Sequence, residues 1–319
     1  MNCNISNFGQ FQEYILSNPQ TGDSLHVLPQ LGGIVRQLKL CNQLIINAGD
    51  DPQTLQHLNG YPSALMFPFA SRIRNGQYVF ENQTYQLPIN ELARHNAIHG
   101  FMAKRSFDVA SQTCTDSEAK LVLKYSYHAD YEGYPFSFIF HIDYSLRANG
   151  DFEIEYHVQN TGVKTMPLGI GWHPYFSMGN ESVDNLLIKI PSDKILILDD
   201  KMMPSHTQTF EKQQDGWLAL SNQNLDNCFP LRASQNGQST YLYAPNLDLT
   251  LQLWQETGPE RYNYLVVYTP ADRQRIAIEP ITNNVDAFNS GDGLISLPAQ
   301  QSMSVRCRVN ITKGMFEEN

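Results

Sequence analysis

Residues 136–158 read FSFIFHIDYSLRANGDFEIEYHV. Every second residue from Phe136 to Leu146 is apolar, and the alternation resumes at Phe152 after the turn-forming residues Ala148-Asn149-Gly150-Asp151. A period of two places alternate side chains on one face of a β-strand. The stretch therefore predicts a long antiparallel hairpin.

The same alternation recurs along the chain. It is found at Leu121–Tyr127, Leu247–Leu253 and Val305–Ile311, and a shorter hairpin is predicted from Gln77 to Leu87 with a turn near Glu81-Asn82. Helical periodicity is weak, and the 20 Gly and 17 Pro are scattered instead of marking one linker. We therefore predict an all-β protein in which residues 1–319 form a single domain, a large antiparallel β-sandwich.

Composition excludes several classes of protein. The 319 residues include 22 Lys and Arg against 32 Asp and Glu, a net charge of −10, which argues against a nucleic-acid partner. With 17% charged and 11% aromatic residues, the chain is not of the disordered type. No apolar run reaches the ~18 residues of a membrane helix, and the first 20 residues lack the pattern of a signal peptide. We expect a cytoplasmic protein without a membrane partner and make no prediction of its oligomeric state.

The five cysteines are odd in number and far apart, and none forms a CxxC pair. They are Cys3, Cys41, Cys114, Cys228 and Cys307. This pattern predicts neither a disulfide framework nor a thiolate metal site. We expect buried free thiols.

Two segments near the middle of the first half carry candidate binding residues. Arg72 lies in a Gly-terminated loop, where its guanidinium could fix a sugar hydroxyl or remain a solvated surface charge. His95 and His99 are four residues apart, but no helical pattern surrounds them, and on a strand they would stand ~13 Å apart, too far for one metal ion. We expect no metal here. His99 is interpreted either as a donor to a substrate or as a structural histidine.

Two later segments carry a candidate acid and a candidate base. His173 lies between Trp172 and Pro174, and such firm placement suits a general acid. Glu279 ends an apolar run before Pro280, and partial burial would raise its pKa and make it a stronger base. The alternatives are a core histidine and a solvent-facing glutamate. An ionised Glu279 would favour protonated His173, whereas burial of the imidazole opposes it.

In this order and spacing, the segments resemble the aldose 1-epimerase family, also called galactose mutarotases. The resemblance covers nearly the whole chain and rests on Arg72-Ile73, Gly76, Tyr78, Phe80, Tyr85, Leu87, Asn90, His99-Gly100, His173, Tyr175-Phe176, Asp226, Phe229, Glu279-Pro280 and Asp286-Ala287-Phe288-Asn289. It implies a mutarotase-like supersandwich with an open sugar cleft and neither metal nor cofactor. It also implies roles for five side chains: Glu279 as general base, His173 as general acid, His99 at the ring oxygen, and Arg72 and Asp226 at sugar hydroxyls.

The resemblance leads us to expect interconversion of the α and β anomers of a free aldohexose such as glucose or galactose. Phe101 after His99-Gly100 and Pro280 after Glu279 are features more similar to distant bacterial branches of the family. A hexose 6-phosphate or another modified sugar therefore remains an alternative, with Arg74, Lys104 and Arg105 as the cations near the motifs.

A carbohydrate-binding protein without catalysis is a further alternative, but binding alone does not require a matched base and acid. A glycosidase is disfavoured because it needs two carboxylates flanking the scissile bond. Two aromatic side chains near the motifs, Trp172 and Phe101, are expected either to stack on the sugar or to pack in the core.

Overall fold

The computed structural model of the chain describes residues 1–213 and 215–317. This part of the chain forms three large sheets, four two-stranded ribbons and a few helical turns. The first sheet is a five-stranded meander in the order β1-β2-β3-β4-β5. Its strands are β1 (Asn2–Phe8), β2 (Phe11–Ser17), β3 (Ser24–Leu28), β4 (Ile34–Leu40) and β5 (Gln43–Asn47).

The other strands follow in chain order. They are β6 (Ala64–Met66), β7 (Arg72–Arg74), β8 (Gln77–Phe80), β9 (Gln83–Gln86), β10 (Asn96–Ile98), β11 (Asp108–Cys114), β12 (Glu118–Tyr127), β13 (Phe138–Arg147), β14 (Phe152–Asn160), β15 (Met166–Leu168), β16 (Gly171–His173), β17 (Tyr175–Phe176), β18 (Leu187–Lys189), β19 (Lys194–Leu198), β20 (Pro204–Thr209), β21 (Leu218–Ala219), β22 (Asp226–Pro230), β23 (Gln238–Ala244), β24 (Leu249–Gln255), β25 (Tyr264–Tyr268), β26 (Ile276–Ile281), β27 (Ile295–Leu297) and β28 (Ser302–Lys313).

Two further large sheets face each other. The nine-stranded sheet has the order β11-β12-β13-β14-β28-β24-β23-β18-β21, and the six-stranded sheet has the order β22-β25-β26-β16-β6, with β17 also paired to β26. The ribbons are β7 with β10, β8 with β9, β15 with β27 and β19 with β20. Neighbouring strands of both sheets are antiparallel. The structure thus confirms the predicted all-β, antiparallel fold.

Helices contribute little. The α-helices α1 (Pro52–Leu55) and α2 (Ala287–Ser290) have four residues each, and 3₁₀ turns occupy Met102–Lys104 and Val183–Asn185. None of the helices in the described part of the chain has the length and apolar character to cross a bilayer.

The predicted hairpins are confirmed. β13 pairs with β14 from Phe138 opposite Asn160 to Leu146 opposite Phe152, and the alternating apolar side chains of both strands are buried. β8 and β9 form the shorter hairpin around Glu81-Asn82. The alternation identifies these strands because a shift of one residue would turn their apolar faces to water.

A large part of the core lies between the nine-stranded and six-stranded sheets, and buried side chains of the five-stranded sheet belong to the same cluster. Phe67, directly after β6, packs against Phe138 and Phe140 of β13, with ring centroids 4.9 and 4.7 Å apart. Trp172 of β16 packs edge-on against Phe152 of β14 at 6.0 Å. These contacts pack the short strands of the six-stranded sheet against the longer strands of the nine-stranded sheet.

The cysteines correct one expectation. Cys3 of β1 and Cys114 of β11 form a disulfide, with their Cα atoms 6.2 Å apart, and Cys41 is exposed. Buried free thiols were the correct prediction only for Cys228 and Cys307. Sequence spacing could not reveal the pair, because its members are 111 residues apart and meet only where edge strands of two sheets come together.

Candidate active site

Three of the predicted polar residues lie on the six-stranded sheet. Glu279 is in β26 opposite Val266 of β25, and Asp226 begins β22 opposite Tyr268 of β25. Val266 and Tyr268 are two residues apart, so the two carboxylates project from the same face of the sheet. His173 ends β16, the neighbour of β26.

The ribbon of β7 and β10 supplies two further residues. Arg72 pairs with Ile98, and His99 follows directly, its backbone N–H donating to the Ser71 carbonyl at 2.9 Å. Asp286 fastens the ribbon to the loop after β26. Its N–H donates to the Arg72 carbonyl, and its carboxylate accepts from the backbone N–H of Arg74, both at 2.9 Å. The two strand systems are thereby held in a fixed relation.

A cavity of about 290 Å³ lies where the sheet and the ribbon meet. It brings together the five polar side chains to which the resemblance assigned roles: Arg72, His99, His173, Asp226 and Glu279. The rest of its wall consists of Gly60, Tyr61, Ser71, Arg94, Ile98, Tyr175, Val266 and Tyr268. Aromatic faces beside directed polar groups are typical of a sugar-binding site.

The candidate acid and base are in direct contact at the bottom of this cavity. The distance from His173 Nε2 to Glu279 Oε1 is 3.3 Å, and the two side chains are only 8% and 4% exposed. The His99 ring stands edge-on to the His173 ring, with centroids 5.2 Å apart. The Nδ1 atoms of both histidines are buried, and neither has a hydrogen-bond partner among the described residues.

Burial sets the protonation of these groups. It lowers the pKa of His173 to about 4, with the Arg72 guanidinium acting in the same direction. It also lowers the pKa of His99 well below the ordinary value, assisted by His173 and Arg72. Burial and the Asp226 carboxylate raise the pKa of Glu279 well above the ordinary value. Burial therefore favours the neutral form of both imidazoles and of the Glu279 carboxyl.

Asp226 lies at the mouth of the cavity. Much of its surface is exposed, yet the cavity walls surround it closely enough that burial raises its pKa, against the lowering effect of Arg72 and Arg94. Its carboxylate is thus both part of the cavity wall and accessible from outside.

Arg72 is oriented by a carboxylate that sequence reasoning missed. The Nε atom of Arg72 donates to both carboxylate oxygens of Glu91 at 3.1 and 3.0 Å, and its Nη2 donates to Oε1 at 3.0 Å. Glu91 also accepts from Asn96 Nδ2 at 2.9 Å and pairs with Arg94 at 3.3 Å. A forked contact of this kind fixes the plane of the guanidinium.

Backbone conformation is unusual around the cavity. The φ angles of Tyr61, Ser71 and His99 are 53°, 58° and 60°, in the left-handed region that non-glycine residues rarely occupy. Such strained residues concentrate at functional sites, where the surrounding structure compensates for them. The Tyr61 ring contacts the His99 ring edge-on at 4.7 Å, so two of these residues support one another.

The structure favours the core alternative for Trp172 and places Phe101 outside this cavity. Trp172 is 1% exposed, belongs to the core and donates its indole N–H to Ser63 Oγ at 3.1 Å. Phe101 is 8% exposed, packs on Tyr131 and lines a neighbouring cavity instead of this one. Both were close to the site in sequence, but Trp172 alternates with His173 along β16 and faces the core.

His95 and His99 lie in different environments. His95 is exposed and lies 3.4 Å from Asn75, whereas His99 is buried in the cavity wall. In the described ranges 1–213 and 215–317, no group of His, Cys, Asp and Glu side chains could hold a metal ion.

Tyr61 and Glu91 are the wall and support residues that the sequence analysis did not identify. Tyr61 stands in the turn-like segment Asn59-Gly60-Tyr61-Pro62, whose only signal was its Gly and Pro content. Glu91 precedes Arg94 by three residues, a spacing common in any solvated segment. Tyr61 is distant in sequence from His99, and Glu91 is distant from Arg72, so neither pattern indicates these contacts.

The sequence matches the profile of one protein family, described as aldose 1-epimerase, over residues 15–310. A relative from Escherichia coli K12, the uncharacterized protein YihR, is 30% identical over 259 residues, which cover 80% of this chain and 79% of YihR.

Solved structures show the same fold. A galactose mutarotase-like protein from Clostridium acetobutylicum superposes with a TM-score of 0.86 at 21% identity, covering 98% of each chain. Galactose 1-epimerase from Lactobacillus acidophilus superposes with a TM-score of 0.81 at 18% identity, covering 98% of this chain and 99% of that one.

Proposed function

The chain belongs to the aldose 1-epimerase family and is an isomerase of sugar anomers, and from this premise we propose that it interconverts the α and β anomers of a free aldohexose such as glucose or galactose. We propose further that Glu279 and His173 perform the proton transfers without a cofactor. The supporting observation is their contact at 3.3 Å inside a small cavity with polar and aromatic walls.

The chemistry needs a base and an acid at two neighbouring oxygens. Ring opening removes the proton from the C1 hydroxyl and adds one to the ring oxygen, which breaks the bond between C1 and the ring oxygen and gives the open aldehyde. Rotation about the C1–C2 bond followed by reclosure forms the other anomer. In this proposal Glu279 takes the C1 hydroxyl proton and His173 delivers a proton to the ring oxygen. Reclosure reverses both transfers and restores the site.

The pair can hold the single proton that this cycle requires. Since burial disfavours separate charges on both groups, the resting proton lies on the Glu279 carboxyl, beside a neutral His173. Their contact allows the proton to pass to the imidazole when a sugar occupies the cavity. His173 is then a strong acid because its pKa is low, and Glu279 is a strong base because its pKa is high.

The remaining cavity residues bind and orient the sugar in this proposal. Arg72, fixed by Glu91, donates to ring hydroxyls, and Asp226 at the mouth accepts from them. His99 is held edge-on to His173 and donates to the ring oxygen as a neutral imidazole. Orientation of this kind places the reacting oxygens near the acid and the base.

A hexose 6-phosphate receives less support from the cavity. Among the cations near the motifs, Arg74 lies 3.7 Å from the Asp286 carboxylate, and Lys104 and Arg105 line the neighbouring cavity. Arg72 and Arg94, which line this cavity, are both paired with Glu91. A pure binding protein would have no use for the burial of an acid and a base in contact.

Polarimetry tests the proposed substrate. Fresh α-glucose, α-galactose and glucose 6-phosphate are followed with and without the protein, and the spontaneous rate is subtracted. We expect acceleration of at least one free hexose. Acceleration of glucose 6-phosphate alone would contradict a free aldohexose substrate, and acceleration of no sugar would contradict catalysis.

Substitution of either member of the pair tests its role. We predict that Glu279→Gln and His173→Asn each lower kcat at least ~10²-fold, because each removes a positioned proton-transfer group. Matched controls on the outer face of β14, Glu155→Gln and His157→Asn, should retain the wild-type rate. Near-native mutarotation by a folded Glu279→Gln or His173→Asn variant would contradict the assignment, and circular dichroism verifies the fold.

A further inference from the structure

Glu91 is bound to Arg72 in the wall of the cavity that holds Glu279 and His173, but it does not line that cavity itself. Two backbone hydrogen bonds with Asn96, at 3.0 and 3.2 Å, tie Glu91 to the start of β10. Its carboxylate reaches across to Arg72 on β7, and both side chains are only 13% exposed. A buried ion pair thus joins the two strands of this ribbon, in addition to their backbone hydrogen bonds.

The ion pair occupies one edge of the Arg72 guanidinium. Glu91 accepts hydrogen bonds from Nε and Nη2, whereas Nη1 has no hydrogen-bond partner among the described residues. A forked contact leaves the guanidinium little freedom to rotate. Glu91 therefore fixes the plane of the group while leaving Nη1 available to a sugar hydroxyl.

Glu91 also balances the positive charge beside the proton-transfer pair. Arg72 and Arg94 both line the cavity, and they pair with Glu91 at 3.0 and 3.3 Å. Although burial opposes ionisation, hydrogen bonds from Arg72 and Asn96 hold the pKa of Glu91 below its ordinary value. Glu91 therefore carries its negative charge at neutral pH.

The pair of Glu279 and His173 is surrounded by ionisable groups from several elements. The charged groups are Arg72 of β7, Arg94 before β10 and Asp226 of β22, and the others are His99 after β10, Tyr61 before β6, Tyr175 of β17, Tyr268 of β25 and Cys228 of β22. Burial and Asp226 raise the pKa of Glu279, and burial lowers that of His173. The Arg72 guanidinium acts to lower both pKa values. An unbalanced guanidinium here would thus favour loss of the proton that the pair shares.

We propose that Glu91 is a positioning residue of the mutarotase reaction, which orients Arg72 toward the sugar and balances its charge so that one proton stays on the pair of Glu279 and His173. This inference rests on the proposed function. Glu91 touches neither the cavity nor the pair, and it acts through the orientation of Arg72 and the charge balance around it. The balance matters because removal of one partner from a buried ion pair leaves the other charge uncompensated.

The pH dependence of kcat/KM in Glu91→Gln tests the role of this charge. A base and an acid that share one proton give a bell-shaped profile, measured here with the free hexose that the wild type accelerates. The variant leaves Arg72 uncompensated, which stabilises ionised Glu279 and disfavours protonated His173. Both limbs should therefore move to lower pH, the alkaline limb by at least about 0.5 pH units. Glu91→Asp keeps the charge and should keep the wild-type limbs.

Glu153→Gln is the matched control, because it breaks a comparable ion pair elsewhere. Glu153 of β14 accepts from Nη2 of Arg147 and of Arg308 at 2.8 and 2.9 Å, and its side chain is 10% exposed. It lies on the nine-stranded sheet and does not line the cavity of the pair. We expect this variant to have the pH limbs of the wild type.

A second pair of variants avoids an unpaired Arg72 in case Glu91→Gln does not fold. Arg72→Gln leaves the negative charge of Glu91 in excess and should move both limbs to higher pH. The double variant Arg72→Gln/Glu91→Gln should return them toward the wild-type positions. Identical limbs in these two variants overturn the proposal.

The outcomes separate this proposal from the proposed function. Unchanged limbs in a folded Glu91→Gln variant, with only KM raised, overturn the role of the charge and leave the mutarotase function standing. An equal shift in Glu91→Asp or in Glu153→Gln also overturns it, because the effect would then not follow the charge at this position. Acceleration of no sugar by the wild type overturns the mutarotase function itself.

Discussion

The contact between Glu279 and His173 determines how activity depends on pH. Burial lowers the pKa of His173 to about 4, while burial and Asp226 raise the pKa of Glu279 well above the ordinary value. Below about pH 4 both groups are protonated and the base is lost. Above the raised pKa of Glu279 both are deprotonated and the acid is lost. We therefore predict a bell-shaped dependence of kcat/KM on pH, with its acid limb near pH 4.

The measurement is the catalysed rate from about pH 3 to 10, with the spontaneous rate subtracted at each pH. The Glu279→Gln variant serves as the reference, because His173 is then the only group of the pair that can hold a proton, so any residual rate should already fall above about pH 4. An acid limb centred near 6.5, the ordinary value for histidine, would show that His173 is not the buried neutral group described here.

At the residue scale, the sequence predicted five residues that the fold brings into one cavity, but not the residues that support them. Glu279, His173, His99, Arg72 and Asp226 do meet in one cavity. They were identified because the order of their motifs resembles a family, not because their spacing implies contact. Glu91 binds Arg72, and Tyr61 contacts His99, only once the chain has folded. Such partners leave no periodic pattern in a single sequence.

At the element scale, the turn after β10 requires glycine. Gly100 has a φ of 65°, and a Cβ atom there would lie 2.0 Å from the Phe67 carbonyl oxygen. The same oxygen accepts from the N–H of Phe101 at 3.0 Å, so the backbones cannot separate without breaking this bond. We predict that Gly100→Ala lowers the free energy of unfolding by more than about 2 kcal/mol and displaces His99.

Gly291→Ala is the matched control for Gly100→Ala. Gly291 has a φ of 78°, but a Cβ atom added there would meet open space, with no contact within 4 Å. Its substitution incurs only the cost of the left-handed conformation, about 1 kcal/mol. Urea unfolding compares the two variants. Equal losses would show that the approach of Gly100 to Phe67 contributes nothing.

Long strands were predictable and short ones were not. β13, β14 and β28 have nine to twelve residues, enough for alternation to identify them. β16, which ends at His173, has three residues, and β17, which follows it, has two. Such strands are too short for a period of two to stand out, and their pairing with β6 and β26 is decided by packing on the larger sheet. The strand that carries the candidate acid could therefore not be predicted from the alternation of its residues.

At the scale of the whole molecule, the net charge and the local charge of the candidate site agree. The chain carries −10, and the two guanidinium groups at the cavity that holds Glu279 and His173 are balanced by the carboxylates of Glu91 and Asp226. A mean field of this sign repels anions and leaves neutral sugars unaffected. This agreement is consistent with neutral sugars as substrates, although composition alone did not identify the cavity.

The disulfide between Cys3 and Cys114 links the edge of the five-stranded sheet to the edge of the nine-stranded sheet. It closes a long loop and so restricts the unfolded chain, for which the expected stabilisation is about 2–4 kcal/mol. We predict that the double variant Cys3→Ser/Cys114→Ser loses this amount in urea unfolding, and that a reducing agent produces the same loss in the wild type. Cys41→Ser, at an exposed free cysteine, should be neutral. Identical unfolding of wild type with and without reductant would contradict a stabilising disulfide. The reduced value is also the stability that applies in a cytoplasm, where thiols are kept reduced.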